Sequence, residues 1–439
     1  MEEKKQDLLQ DYGAEPVPEG KGKGWFGIGI VYWGVAVCLP AFLVSGMIAG
    51  PAKLGTAIWA FIIGAIVLSV IAVMTGIIGA TTRLSTGLSA KYTYGKYGAN
   101  ILQILLFFAC WGWFGVQLGF MAAGLGDGGL AFVTGGKMPI WLIEIIGGVL
   151  MTLTAMFGFK AIEKLSIIAI PLLLIILIAT IVSLYSGNVS LAEVAGTTAE
   201  GAIPFGMAIS IVIGTFIIGA LIAPDITRYA KNKSAGGVGM GFGMLIGFPI
   251  VMILGAIMVK GAGGEIDFSK IMLSNNSGFW VFLAIITIIL AAWTTNDNNL
   301  YSGALSINAM FPKMKKWMIT AVSGVVGTVL ALLGINTAAG FQGFLGILAI
   351  LIPPAAAIII IDFFFFRGGA NKEYKASEVE NAPNFRPVPF ICWMIGSAFG
   401  FIIQYTSMTI TTITAIDTII IAAVIYTIIK LIVKDKAKA

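Results

Sequence analysis

The chain contains no histidine among its 439 residues. That absence removes the commonest metal ligand, general base and proton relay in one stroke. Charge is scarce too. Only 11% of residues are Asp, Glu, Lys or Arg, against about 25% in a soluble globular chain. With 58% of residues hydrophobic, there is too little polar surface to face water, and lipid is the solvent that fits. Cys38, Cys110 and Cys392 are the whole cysteine complement, and each lies in an apolar stretch. No pair has metal-ligand spacing and no disulfide framework follows, so they read as small buried hydrophobes. No nucleophile with an adjacent base is found, and enzymatic chemistry is not expected. Nor is a cleavable signal peptide: residues 1–24 are polar and of mixed charge, and the first apolar run is too long for an h-region.

What is abundant is glycine, 56 residues, which lets membrane helices approach closely. A spanning helix needs about 20 mostly apolar residues. Twelve such segments are predicted, at 25–50, 55–80, 99–125, 138–157, 162–186, 203–223, 238–262, 278–309, 316–336, 341–362, 389–408 and 411–433. Continuous apolar runs such as Ile167 to Ile181 argue for helices over a transmembrane barrel, whose strands alternate. With the N-terminus inside, 23 of the 27 Lys and Arg fall in cytoplasmic segments, and only Lys53, Lys137, Lys260 and Lys270 fall outside. This asymmetry predicts cytoplasmic N- and C-termini in a bacterial inner membrane. It also accounts for the net charge of +6 without nucleic acid. The expected fold class is an all-α membrane protein. Its parts are a tail over 1–24, a ten-helix core over 25–362 (repeats at about 25–186 and 203–362), a cytoplasmic linker over 363–388, helices eleven and twelve over 389–433, and a tail over 434–439.

The first segment runs from Gly27 through Gly29 and Gly34 to Pro40, and the sixth from Gly206 through Gly214 and Gly219 to Pro224. Proline removes a backbone donor, and glycine permits non-helical backbone. Paired broken helices build sites near the midplane, with unwound carbonyls facing a cation. Taken singly, Gly and Pro are merely common in membrane helices; matched positions five segments apart favour the functional reading. The eighth segment carries Ala291-Ala292-Trp293-Thr294-Thr295-Asn296-Asp297-Asn298-Asn299. Residues 291, 294 and 295 share one helical face. Two hydroxyls, a carbonyl and two carbonyls of the broken first helix would surround a small hard cation such as sodium. The plain alternative, hydroxyls bonding to carbonyls four residues back, does not explain six consecutive polar residues at membrane depth. In the third segment Trp113 and Gln117 share a face, with glycines beside them. An indole face and an amide suit a flat hydrogen-bonding ring, and Phe216, in the expected break of the sixth segment, could supply the opposing ring. Glu144, Asp225, Asp297 and Asp362 are the intramembrane ionisable candidates. Asp225 and Asp362 are expected near solvated helix ends, Asp225 paired with Arg228. Asp297 is expected to order the eighth segment by hydrogen bonding.

At these residues the sequence resembles the nucleobase–cation symporter family 1, and its cytosine permease-like branch in particular. The resemblance rests on Trp113-Phe114-Gly115-Val116-Gln117, on Pro224-Asp225-Ile226-Thr227-Arg228-Tyr229, and on Trp293-Thr294-Thr295-Asn296-Asp297-Asn298. It implies a leucine-transporter-like 5+5 inverted repeat and alternating access. It implies that Trp113 and Phe216 sandwich a base, hydrogen-bonded by Gln117, Thr215 and Asn296. Sodium, the coupling ion, would sit between the carbonyls of Gly34 and Cys38 and the oxygens of Ala291, Thr294 and Thr295. Four positions depart from the cytosine permease pattern: Cys110, Gln117, Ile218 and Ala291. The expected function is sodium-coupled nucleobase import, cytosine first. The alternative is a proton-coupled permease for a related purine, hydantoin or vitamin-precursor pyrimidine. The expected partners are that small molecule and the lipid bilayer, with no nucleic acid and no obligate protein partner.

Overall fold

The computed structural model describes residues 12, 15–18, 22–126, 130, 135–136, 138–157, 159–187, 189–274, 277–406 and 408–436. Lys4, Lys5, Lys21, Lys137 and Lys438 of the charge count lie outside them. The described residues are helical throughout, apart from turns and one isolated bridge between Lys23 and Ala230. The helices are α1 (Trp25–Ala36), α2 (Leu39–Ala49), α3 (Leu54–Thr82), α4 (Thr86–Gly124), α5 (Ile140–Ala155), α6 (Phe159–Tyr185), α7 (Leu191–Ala195), α8 (Phe205–Leu221), α9 (Pro224–Thr227) and α10 (Lys233–Gly241). Then follow α11 (Phe248–Gly261), α12 (Phe268–Leu273), α13 (Gly278–Met310), α14 (Lys316–Leu332), α15 (Ala338–Ile361), α16 (Ala376–Glu380), α17 (Pro387–Tyr405) and α18 (Thr414–Lys436). A π-helical turn, Phe242–Gly247, joins α10 to α11.

Among the described residues nine helices are long and apolar enough to cross a membrane, or ten if the bent pair α1–α2 is one span. The other two predicted spans, the fourth and ninth, correspond to α5 and α14. These are apolar helices of 16 and 17 residues, shorter than the ~20 a bilayer asks for. Length and composition therefore give ten spans and two short helices rather than a uniform twelve.

The packing has an internal regularity. Number the segments one to ten, with α1–α2 first, α7, α9 and α12 left aside, and α10–α11 seventh. The third and eighth (α4, α13) pack together, as do the fourth and ninth (α5, α14). The second packs on the sixth (α3, α8) and the seventh on the first (α10, α1). The fifth packs on the first (α6, α1) and the tenth on the sixth (α15, α8). Exchanging each segment with the one five places away maps these neighbours onto themselves.

Glycines make the tightest approach. A Cβ on Gly243 would stand 2.6 Å from the Tyr32 Cβ, and one on Gly29 would stand 2.8 Å from the Gly239 carbonyl, so α1 lies against α10 and the π turn backbone to backbone. The linker is not free. Gly95, at φ 77, kinks α4 and lets the linker in: Lys96 and Tyr97 donate their N–H groups to the Pro383 and Asn384 carbonyls. Asp362, expected to be solvated, is instead fully buried. It pairs with Arg367 and Lys430 and accepts the Tyr426 hydroxyl at 2.6 Å. Through it α18 is tied to the end of α15.

The N-terminal segment straps the helix ends on its own side. The Arg83 guanidinium donates to the Val17 and Pro18 carbonyls, the Lys23 N–H to the Tyr229 carbonyl, and Arg228 Nη1 to the Tyr12 carbonyl.

Candidate functional site

The site begins with the break between α1 and α2, whose axes are bent by 59°. Pro40 has no N–H to offer Ala36, and the Cys38 N–H turns back to the Ala36 carbonyl at 3.0 Å. The Gly34 carbonyl thereby loses its helical donor, and Val35 sits at the same interruption. Both are met from α13. The Thr294 hydroxyl donates to Gly34 at 3.1 Å and the Thr295 hydroxyl to Val35 at 3.2 Å. Each hydroxyl also lies within reach of the carbonyl four residues back, Leu290 and Ala291. Gly34 with Thr294, and Val35 and Ala291 with Thr295, thus place five neutral oxygens along the seam between two helices. The Cys38 carbonyl is engaged elsewhere, accepting the Ala41 and Phe42 N–H groups as α2 begins. Val35 stands where sequence reasoning put Cys38. Such a donor set suits a small hard cation.

The sixth segment breaks later than expected. α8 is continuous through Gly214 and Gly219, and the interruption falls at Ile222 and Ala223, before Pro224. Phe216 therefore sits in regular helix. Its ring lies over Gly219, where a Cβ would meet it at 2.7 Å. The proline still frees a carbonyl, Ala220, and the Thr75 hydroxyl of α3 donates to it at 2.6 Å. The Tyr32 hydroxyl donates to Gly219 at 3.1 Å.

Between the two breaks lies a narrow cavity of about 30 Å³. A water needs roughly 10–15 Å³ of such space, so a ring enters only when the walls part. Trp113 and Phe216 form its aromatic walls, with Thr215, Gln117, Asn298 and Asn299 among its polar ones. Trp113 is 7% exposed and held edge-on by Phe341 and Phe344, at 6.2 and 5.4 Å between centroids. Phe344 comes so close because Gly112 leaves room: a Cβ there would stand 2.5 Å from its ring. Both polar atoms of the Gln117 amide are buried without a hydrogen-bond partner of ordinary geometry, with the Cys38 thiol beside them. Asn298 Oδ1 is likewise unpartnered. Buried polar atoms left so are costly, and a ligand that met them would recover that cost. Asn296 faces elsewhere: its amide donates to the Phe114 carbonyl and accepts from Asn299. The Thr215 hydroxyl bonds back to Ile211.

Asn298 and Asn299 were legible. They stand four residues after Thr294 and Thr295, so they continue the same face. The ionisable groups are structural in part. Asp225 Oδ1 accepts the Thr86 N–H at the start of α4, and Arg228 Nε donates to the Asp225 backbone carbonyl. Asp297 accepts the Thr154 hydroxyl at 2.6 Å, and that oxygen accepts Trp293 Nε1–H. Asp297 is hydrogen-bonded, as expected, but the bond reaches across from α13 to α5 and leaves Asp297 Oδ2 unpartnered. Glu144 is buried on α5. No cluster of metal-ligating Cys, Asp or Glu side chains occurs among the described residues.

Residues 16–417 match the family model for permeases of cytosine and purines, uracil, thiamine and allantoin. The cytosine permease of Escherichia coli K12 is 28% identical over 344 residues, covering 78% of each chain. Among solved structures, Mhp1, a nucleobase-cation-symport-1 family transporter in a closed conformation with bromovinylhydantoin bound, superposes with a TM-score of 0.81. It does so at 21% identity over 95% of this chain and 94% of its own. A Na⁺-coupled sialic acid symporter in its substrate-bound outward-open state superposes at 0.70, with 11% identity over 97% and 92% of the two chains.

Proposed function

The chain belongs to the nucleobase–cation symporter family 1, as a multi-pass membrane permease and not an enzyme, and from that premise we propose that it imports a nucleobase, cytosine first, coupled to sodium by alternating access. One observation carries the coupling. Val35 and Thr295 belong to both sites: their oxygens meet across the α1–α2 break, and both residues line the cavity between Trp113 and Phe216. A sodium ion held by the five oxygens braces α1 against α13, and so sets the wall against which the base docks. The base lies between the two aromatic rings, and its hydrogen-bonding edge meets Gln117 and the Asn298 and Asn299 amides of α13. Thr215 and Asn296 act from behind, by shaping α8 and α13. The membrane potential drives the cation inward with about 2.3 kcal/mol per charge per 100 mV.

In this reading α5 and α14 complete twelve spans, the swap of segments five apart is an inverted repeat, and both termini face the cytoplasm of a bacterial cell whose inner membrane holds the protein. A second reading rests on Asp297, whose free carboxylate oxygen at membrane depth suits proton coupling. Gln117 and Ile218, where cytosine permeases differ, suit a hydantoin, purine or vitamin-precursor pyrimidine. The test is uptake of labelled bases in sodium and then in choline at one pH. Faster uptake in sodium is expected, and equal rates sink sodium coupling.

A further inference from the structure

On the side away from the N-terminal strap lies a second, much larger chamber of about 700 Å³. It is bounded by α2, α8, α15 and the segment joining α17 to α18. Its lining is mostly apolar and carries no charged side chain. A charged ligand would enter it without a counter-charge, at high cost, so the chamber suits a neutral one. Three of its hydroxyls are engaged within the protein: Ser210 donates to the Gly206 carbonyl, Thr406 to Ile402 and Thr409 to Asp417. The Gln404 amide is its largest polar group, with both a donor and an acceptor to offer, its Nε2 lying 3.8 Å from where a Cβ on Gly346 would stand.

The chamber and the inner cavity are lined by neighbouring residues. Gly214 lines the chamber while the next two residues, Thr215 and Phe216, line the cavity. Phe341 lines the chamber and meets Trp113, a cavity wall, edge-on. The roof is fixed rather than loose. Asp417 gathers the Thr409 and Thr411 hydroxyls and the Ile410 and Thr411 N–H groups. Thr412 rests on Gly206, where any Cβ would strike it.

We propose that this chamber is an outer binding site, in which a neutral planar heterocycle of the class the inner cavity takes waits, held by apolar walls and the Gln404 amide, before passing Phe341. The proposal rests on the nucleobase reading above. A lipid tail is the other apolar occupant, and the Gln404 amide favours the heterocycle.

Gly346 gives a clean test. It is a helix-interior glycine where a Cβ would meet only the Gln404 amide, at ordinary contact distance, so Gly346→Phe fills the chamber and improves helix propensity. Equilibrium dialysis of the full chain in nanodiscs with labelled cytosine, uracil and hydantoin should give two molecules per chain for wild type. One is expected for Gly346→Phe, with the retained site at unchanged affinity. Gln404→Leu should weaken the lost site alone, by about tenfold. One molecule per chain in wild type, lost in Trp113→Ala and untouched by Gly346→Phe, overturns the outer site while leaving the inner one. A co-purified lipid that Gly346→Phe expels overturns it as well. No base bound at any concentration overturns both readings together.

Discussion

Replacing Thr295 by valine keeps the shape of the side chain and removes one oxygen. In wild type that hydroxyl donates to the Val35 carbonyl, which the helix break has stripped of its own donor. Without sodium, the variant leaves this carbonyl buried and unmet, at a cost of about 1–3 kcal/mol. With sodium bound as proposed the loss would be larger, because the same oxygen would be one of five around the ion. At a hundred times its Kd, sodium stabilises the wild type by about 2.7 kcal/mol. If losing one charged contact costs about 2 kcal/mol, Kd weakens about 30-fold, and the same sodium concentration then contributes about 0.9 kcal/mol. The sodium-dependent part of stability should therefore fall by about 2 kcal/mol, a few degrees in Tm. Thermal unfolding in sodium and in choline, at matched ionic strength and pH, reads that difference directly. Thr295→Ser, which keeps the oxygen, should retain the sodium shift. An undiminished sodium shift in Thr295→Val would place the ion elsewhere and refute the reasoning.

Trp113→Ala should weaken base binding by about 1–3 kcal/mol, the worth of one aromatic face; unchanged affinity by calorimetry removes the sandwich. Thr75→Val should cost about 1–3 kcal/mol by orphaning the Ala220 carbonyl. Pro224→Ala in the same chain should restore part of it, because alanine returns an N–H, and denaturation midpoints of the single and double variants decide. Asp362→Asn removes the charge that Arg367 and Lys430 share. Because both partners keep some contact with solvent, the expected loss is about 1–3 kcal/mol, and it should appear first as faster proteolysis of the 363–388 linker.

The helix ranges were readable because spanning segments announce themselves as apolar runs, and the first break was readable from Gly34 and Pro40. Which carbonyls the break would free was not. That depended on the Cys38 N–H turning to Ala36, a local geometry that leaves Val35 rather than Cys38 beside Thr295. The sixth segment misled for a related reason. A glycine can mark a break or a close contact, and only the partner tells which: Gly219 lies under the Phe216 ring, so it packs and does not break. The kink at Gly95 was equally hidden, because the linker that fills it comes from far along the chain. Asn298 and Asn299 are a different case. Helical spacing from Thr294 and Thr295 put them on the right face, and the run of polar residues concealed it.

Pro224 and Thr75 stand on different helices, yet they constitute one heritable unit. The proline creates an unmet oxygen, and the hydroxyl meets it. A lineage that loses the threonine first carries a destabilised protein until the proline follows, whereas one that loses the proline first carries a redundant hydroxyl at little cost. Drift between the two states should therefore run in one order. In collections of related permeases, sequences with the hydroxyl and no proline should be common as intermediates, and sequences with the proline and no hydroxyl at the Thr75 position should be rare.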